Sequence, residues 1–179
     1  RCCQSLLQTL FSKKSAALLL FTGASSLGFQ RYVYNTLQAF DGSFETLDQW
    51  QAYKIDGSRN VSSDKPIYLL VNEEEVSGDT AEGRAVAEEL RRLPNNYYIV
   101  LDVDDSVSED GSLTAPPFMD VIQHPNWVLT NTTGPLITHI ENDFLRECKW
   151  LRSLNVSALR AVKLIGWRFL ARCTSLESL

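Results

Sequence analysis

Two carboxylates at the end of a predicted strand are the residues best suited to chemistry. Asp102 and Asp104 follow the apolar run Tyr97–Leu101, whose β-branched and aromatic residues favour a strand buried on both faces. Side chains two positions apart on a strand lie on one side, so both carboxylates could contact one ligand. Such a pair can hold Mg²⁺ or Mn²⁺ against a phosphate. The preferred alternative is that these acids end the strand in solvent and hold no metal.

A predicted strand–helix–strand unit would position these acids. Pro66–Asn72 is a second buried-strand candidate. Between the two strands, Asp79 with Glu82 resembles a capping box at the start of a helix, and Pro94 ends that helix. Because a crossover of this kind joins parallel neighbours, the pattern predicts an α/β fold with a small parallel or mixed sheet flanked by helices.

The acidic strand end resembles two family motifs. The D-x-D at 102–104 is similar to that of metal-dependent nucleotide-sugar transferases, and also to the first motif of haloacid-dehalogenase-type phosphatases. The second motif of those phosphatases, a strand ending in Thr, is similar to residues 129–131. This resemblance implies Asp102 as nucleophile, Asp104 as acid/base and Thr130 as a phosphate ligand. An acid stands where the phosphatases have Gly, and their later Lys and paired acids have no match.

A longer stretch resembles a thioredoxin-like domain in the order of its elements, with a Rossmann-like sheet as the alternative. These elements are the strands Pro66–Val71, Tyr97–Asp105 and Trp127–Thr130, the helix Asp79–Leu93, the strand or short helix Pro116–Ile122, and a helix after Pro135. The family's Cys-x-x-Cys would fall near Glu75–Asp79, where no cysteine occurs, so the resemblance implies a redox-inactive binding module. It also implies a cis bond at Pro117.

Charge and cysteine content restrict the function classes. The net charge is −5, and residues 32–110 hold 17 acids and only 6 bases, which argues against general nucleic-acid binding. No Cys-x-x-Cys occurs, and neither His124 nor His139 has ligand spacing to a cysteine pair, so we expect no zinc site and no cofactor. Cys148 and Cys173 are expected as buried thiols, with a single disulfide as the alternative.

The N-terminal 60 residues are predicted to form a helical anchor segment. Ser15–Gln30 is uncharged and follows Lys13 and Lys14, which makes it a candidate transmembrane helix or a buried helix of a soluble domain. Two shorter helices are predicted next, at Tyr32–Phe40 and Phe44–Tyr53, and the second has Ser43 or Thr46 as its cap. The chain begins with Arg1, as expected for a processed organellar precursor or for a fragment.

Two C-terminal helices are predicted after the α/β domain at 61–153. Apolar residues at helical spacing predict a helix after Pro135 that buries Ile137, Ile140, Phe144, Cys148 and Leu151. Residues 154–179 are predicted to contain an amphipathic helix, from about Ala158 to Cys173. Its apolar residues cover more than one stripe, which indicates burial against a partner or a membrane surface. No internal repeat is expected.

The favoured function is a non-catalytic accessory subunit of a larger organellar membrane assembly, and the favoured location is the mitochondrial inner membrane. The expected partners are other protein subunits and the lipid bilayer, which Ser15–Gln30 would enter. The first alternative is a metal-dependent enzyme that acts on a phosphate or nucleotide-sugar through Asp102 and Asp104. The other alternative is a redox-inactive thioredoxin-like module in a soluble organellar or secreted setting.

Overall fold

The computed structural model describes residues 42–56, 65–71, 76, 80–131, 134–157 and 159–179. The α/β fold is confirmed, with two parallel sheets. The strands are β1 Ser43–Thr46, β2 Ile67–Val71, β3 Tyr97–Asp102, β4 Ser112–Leu113, β5 Asn126–Thr130, β6 His139–Ile140, β7 Ser153–Asn155 and β8 Leu164–Ile165. The helices are α1 Leu47–Asp56, α2 Ala81–Arg91 and α3 Pro117–Ile122. Ser15–Gln30, Tyr32–Phe40 and Asp79 lie outside the described residues, within which no helix is long and apolar enough to cross a membrane.

Strand order follows chain order. The larger sheet runs β1-β2-β3-β5-β7 and the smaller runs β4-β6-β8, with every neighbouring pair parallel. The predicted pairing of β2 with β3 is confirmed, with Ile67 opposite Tyr97. Among the described strands the order never reverses, whereas a Rossmann-like sheet reverses at the point where its ligand binds. The sequential order is instead typical of a solenoid, in which each coil stacks on the previous one.

The core lies on one face of the larger sheet. One inward-facing residue from each of β2, β3 and β5, namely Leu69, Ile99 and Trp127, is fully buried there. The same cluster contains buried apolar side chains from all three described helices: Leu47, Trp50, Ala87, Leu90, Phe118, Met119 and Ile122. Residues of opposite parity form a second buried cluster of Tyr68, Leu70, Val100 and Val128. The two faces of β3 are therefore both buried, as its uninterrupted apolar run predicted.

Local signals explain the helix ends. Thr46 and Gln49 form a reciprocal capping box at α1, because each side chain accepts the other's backbone N–H, at 3.3 and 3.1 Å. Thr46 therefore caps the helix, as predicted. The helix begins only at Leu47, because residues 44–46, predicted as its start, belong to the strand β1. At α2 the cap is Thr80, whose hydroxyl accepts from Gly83 N at 3.0 Å.

The segment 116–122 is the helix α3 rather than a strand. Pro117 occupies its first turn, where a missing N–H costs nothing. The described chain contains no cis peptide bond, so the expectation of a cis bond at Pro117 is wrong. The Arg91 guanidinium donates to the carbonyls of Val121 and Ile122 at 2.7 and 3.2 Å, and this joins the end of α2 to the end of α3.

Both predicted C-terminal helices are absent. The described residues of 136–179, including those of 158–173 and of the expected amphipathic helix, form short strands and tight turns. Backbone bonds run between segments instead of along a helix: Asp143 N donates to Trp167 O and Glu147 N to Ala171 O, both at 2.8 Å. Helical spacing was misleading because the turns of a flat coil also bring every third or fourth residue inward. Ile137, Ile140, Phe144, Cys148 and Leu151 are indeed all buried.

The C-terminal part contains an internal repeat, contrary to expectation. The pattern F-L-x-x-C-x-x-L-x-S-L occurs at 144–154 and again at 169–179. In the sheets, Ile140 pairs with Ile165, and Ser153 forms a bridge with Ser178, each 25 residues on. The left-handed backbone of Asp143, Leu145 and Glu147 recurs at the same interval, at Arg168, Leu170 and Arg172. We call residues 112–137, 138–162 and 163–179 the first, second and third coil.

Candidate functional site

The acidic strand end brings its predicted residues together. Asp102 lies directly opposite Thr130 in the β3–β5 pair. Asp102 Oδ1 accepts from the backbone N–H of Asp104 at 3.3 Å, at the start of a 3-10 turn over Asp104–Ser106. Asp102, Asp104 and Thr130 therefore lie near one another at the end of β3, and Asp102 stabilises the turn that follows this strand.

The Thr130 hydroxyl forms a hydrogen bond within the sheet. Its side chain is fully buried, and its hydroxyl donates to Leu101 O at 3.0 Å. A phosphate ligand needs a hydroxyl that is open to substrate, and this one satisfies a carbonyl of the neighbouring strand. Within the described ranges, no three His, Cys, Asp or Glu side chains converge in a way that could hold a metal ion. Thr130 therefore serves the pairing of β3 with β5.

The two histidines have different surroundings. His124 is fully buried; its Nδ1 lies 3.2 Å from both the backbone N–H and the carbonyl of Asn126. Burial lowers the pKa of His124, although backbone groups of Asn126, Leu93 and Pro94 oppose this shift. His139 is half-buried, and its Nδ1 lies 2.8 Å from the hydroxyl of Thr138. Both are packed residues of the fold.

Cys148 and Cys173 occupy equivalent positions in successive coils and are both free thiols. Burial raises the pKa of Cys148 to about 12, and the neighbouring Asp120 carboxylate adds to the shift. Burial also raises the pKa of Cys173. Since the thiolate is the nucleophilic form, neither residue is poised for chemistry at neutral pH.

A ladder of charged pairs joins the second coil to the third. Each pair spans 25 residues: Asp143 with Arg168, Glu147 with Arg172 at 3.1 Å, and Arg152 with Glu177 at 2.8 Å. The second coil contributes acid, acid and base in that order, and the third contributes base, base and acid. The side chains are largely exposed, so each pair contributes only about 0.2–1 kcal/mol. The ladder therefore contributes more to the alignment of the third coil on the second than to the stability of the fold.

The third coil exposes apolar side chains that the second coil buries. Ile140 is 5% exposed, whereas the equivalent Ile165 is 59% exposed. Leu154 is fully buried, whereas its equivalent Leu179 is exposed. Leu164 and Trp167 are also exposed, although their equivalents in the second coil are the polar residues His139 and Asn142. We call Leu164, Ile165, Trp167 and Leu179 the third-coil face. The sequence carried a signal for it, the repeated F-L-x-x-C-x-x-L-x-S-L, which a search for helical spacing overlooks.

Comparisons of this chain with protein-family models, with curated proteins and with solved structures gave no match. The site must therefore be interpreted from its own geometry.

Proposed function

We propose that the protein is a non-catalytic, protein-binding subunit of a larger assembly and that the third-coil face is its binding surface. The supporting observation is the 59% exposure of Ile165, where the equivalent Ile140 of the preceding coil is covered, together with the 82% exposure of Trp167 two residues further along the chain. Covering one isoleucine-sized side chain contributes roughly 1.5–3 kcal/mol. A contiguous group of such residues on a soluble surface marks an interaction site.

The architecture supports a binding role. Parallel strands whose paired residues lie 27 positions apart, in β4–β6 and β5–β7, and then 25 apart, in β6–β8, resemble the coils of leucine-rich-repeat solenoids, whose period is about 20–29 residues. Leu151, Leu154 and Val156 have the spacing of the strand portion of that repeat. Solenoids present extended surfaces to other proteins, because each coil contacts only its neighbours along the stack.

The location of the assembly, an organellar and specifically a mitochondrial inner membrane, is proposed from sequence alone. The support is the uncharged stretch Ser15–Gln30 with Lys13 and Lys14 before it. Carbonate extraction of native membranes tests this part: retention in the membrane pellet is expected, and complete release of a monomer contradicts it.

The binding role is tested by the size of the native complex. The tagged full chain is expected to migrate in native gels of gently lysed cells at a mass well above that of the monomer. Ile165→Glu should shift it to the monomer position, because it places a charge in the binding surface. Leu136→Glu is the matched control, since Leu136 is 69% exposed but lies outside the third-coil face. Monomeric migration of the unmodified chain contradicts the proposal, as does an equal effect of both variants.

A further inference from the structure

We propose that His124 is a pH switch: when its ring takes up a proton, the turn at residues 123–126 opens and the helix α3 is released from the core. This inference goes beyond the proposed function and uses none of the residues of the third-coil face. Three features of the structure carry it: the complete burial of the imidazole, the hydrogen bond at its Nδ1 atom, and the contacts that meet at this turn.

The closed turn holds the imidazole in its neutral form. His124 is fully buried on the turn between α3 and β5. Asn126 N donates to Nδ1 at 3.2 Å, so the single proton of the neutral ring lies on Nε2. Nε2 has no hydrogen-bond partner in the described part of the chain. A second proton must go to Nδ1, where the carbonyl of Asn126, also at 3.2 Å, could accept it, but the N–H of Asn126 then loses its acceptor.

No counter-ion stabilises a charged imidazole at this position within the described ranges. Arg91 pairs with Glu88 at 3.3 Å, and the Asp120 carboxylate lies 3.7 Å from Cys148 Sγ, so neither acid serves the ring. Burial therefore lowers the pKa of His124, and the backbone groups near the ring do not compensate. The charged and titratable groups at this end of the packed elements are Glu88, Glu89, Arg91 and Arg92 on α2, Tyr97 on β3, Asp120 on α3 and Arg152 before β7.

Several segments of the chain meet at the turn. The His124 carbonyl accepts from Trp127 Nε1 at 2.6 Å, and the Asn126 side-chain amide donates to Asn95 O, before β3, at 2.7 Å. Gln123 has a left-handed φ of 54°, which is unfavourable for a residue with a Cβ and is relieved when the turn opens. Movement of His124 into water therefore breaks the anchor of Trp127 and separates the end of α3 from the chain that precedes β3.

Release of α3 is expected to be local. The helix is only six residues long, and β2, β3 and α2 keep their own buried residues when it leaves. The open form exposes Phe118, Met119 and Ile122, which are buried in the closed form. Acidification therefore gives this part of the molecule an apolar surface that it lacks at neutral pH.

Proton linkage sets the size of the effect. In the open form the imidazole has the ordinary histidine pKa of about 6.5, whereas the closed form stays neutral. The ratio of open to closed molecules should therefore rise about ten-fold between pH 7.5 and pH 5.5. Carboxylates ordinarily titrate near pH 4, so they remain ionised across this range.

Hydrogen–deuterium exchange of the full chain, followed by mass spectrometry, measures this opening. Exchange at residues 117–127 is compared at the two pH values, after correction for the intrinsic pH dependence of amide exchange, and residues 67–71 of β2 serve as the internal control. His124→Asn is the matched variant, because its side-chain oxygen can replace Nδ1 as the acceptor for Asn126 N but cannot take up a proton. We expect the ten-fold increase in the unmodified chain, no increase in His124→Asn, and constant protection of β2.

Opening at 117–127 that is independent of pH overturns the inference, and so does an equal increase in His124→Asn. A parallel loss of protection in β2 also overturns it, because the α/β part would then unfold as a whole. If His124→Asn does not fold, nitrogen NMR of His139→Asn decides, since His124 is then the only histidine of the chain. A closed form with a neutral ring protonated on Nε2 at pH 6 supports the switch, and a cationic ring in the closed form refutes it.

Discussion

The same substitution at equivalent positions of two coils should have very different effects on stability. Ile140 is 5% exposed and Ile165 is 59% exposed, although they pair directly across β6 and β8. Truncation of a buried isoleucine to alanine costs about 2–5 kcal/mol, so we expect Ile140→Ala to lower the free energy of unfolding by about 3 kcal/mol. Only roughly two-fifths of Ile165 is buried, so the expected cost of Ile165→Ala is about 1 kcal/mol.

Urea denaturation of the unmodified chain and the two variants measures both costs, with tryptophan fluorescence as the probe. The denaturant slope must be unchanged for the comparison to hold. Equal losses in the two variants would refute the reasoning, because they would mean that Ile165 is covered as fully as Ile140. A negligible loss in Ile140→Ala would refute the stacking of the second coil itself.

Three further outcomes are expected. Because burial lowers the folded-state pKa of His124, the unfolded chain takes up this proton first, and stability should fall as pH drops below about 6.5; His124→Gln should flatten the pH dependence of the urea midpoint between pH 7.5 and 5.5. Val100→Asp should prevent folding, because it buries an unpaired charge in the cluster of Tyr68, Leu70 and Val128, while Val121→Asp on the surface should leave circular dichroism unchanged. Calorimetric titration with Mn²⁺ should show no micromolar site; micromolar binding that Asp102→Asn removes would favour the metal-dependent enzyme instead.

The N-terminal half of the described chain was predictable because its signals are local. Tyr97–Leu101 is an apolar run that only a strand buried on both faces accommodates, and Pro94 ends the preceding helix before it. Thr46 carries its own capping signal. For the candidate site, the sequence placed Asp102 and Thr130 each at the end of a strand, and the register shows that these two strands are neighbours.

What the sequence by itself determined is the central strand–helix–strand unit, in which Ile67–Val71 and Tyr97–Asp102 are strands and Ala81–Arg91 is the helix between them. What only the tertiary structure decided is the form of the C-terminal coils. Ile140, Phe144 and Cys148 have a spacing that suits a helix and a flat coil equally, so periodicity cannot distinguish them. The choice depends on where the backbone N–H groups find acceptors, and here Asp143 N bonds to a carbonyl of the next coil, at Trp167. Because that acceptor lies 24 residues away along the chain, no local pattern could reveal it.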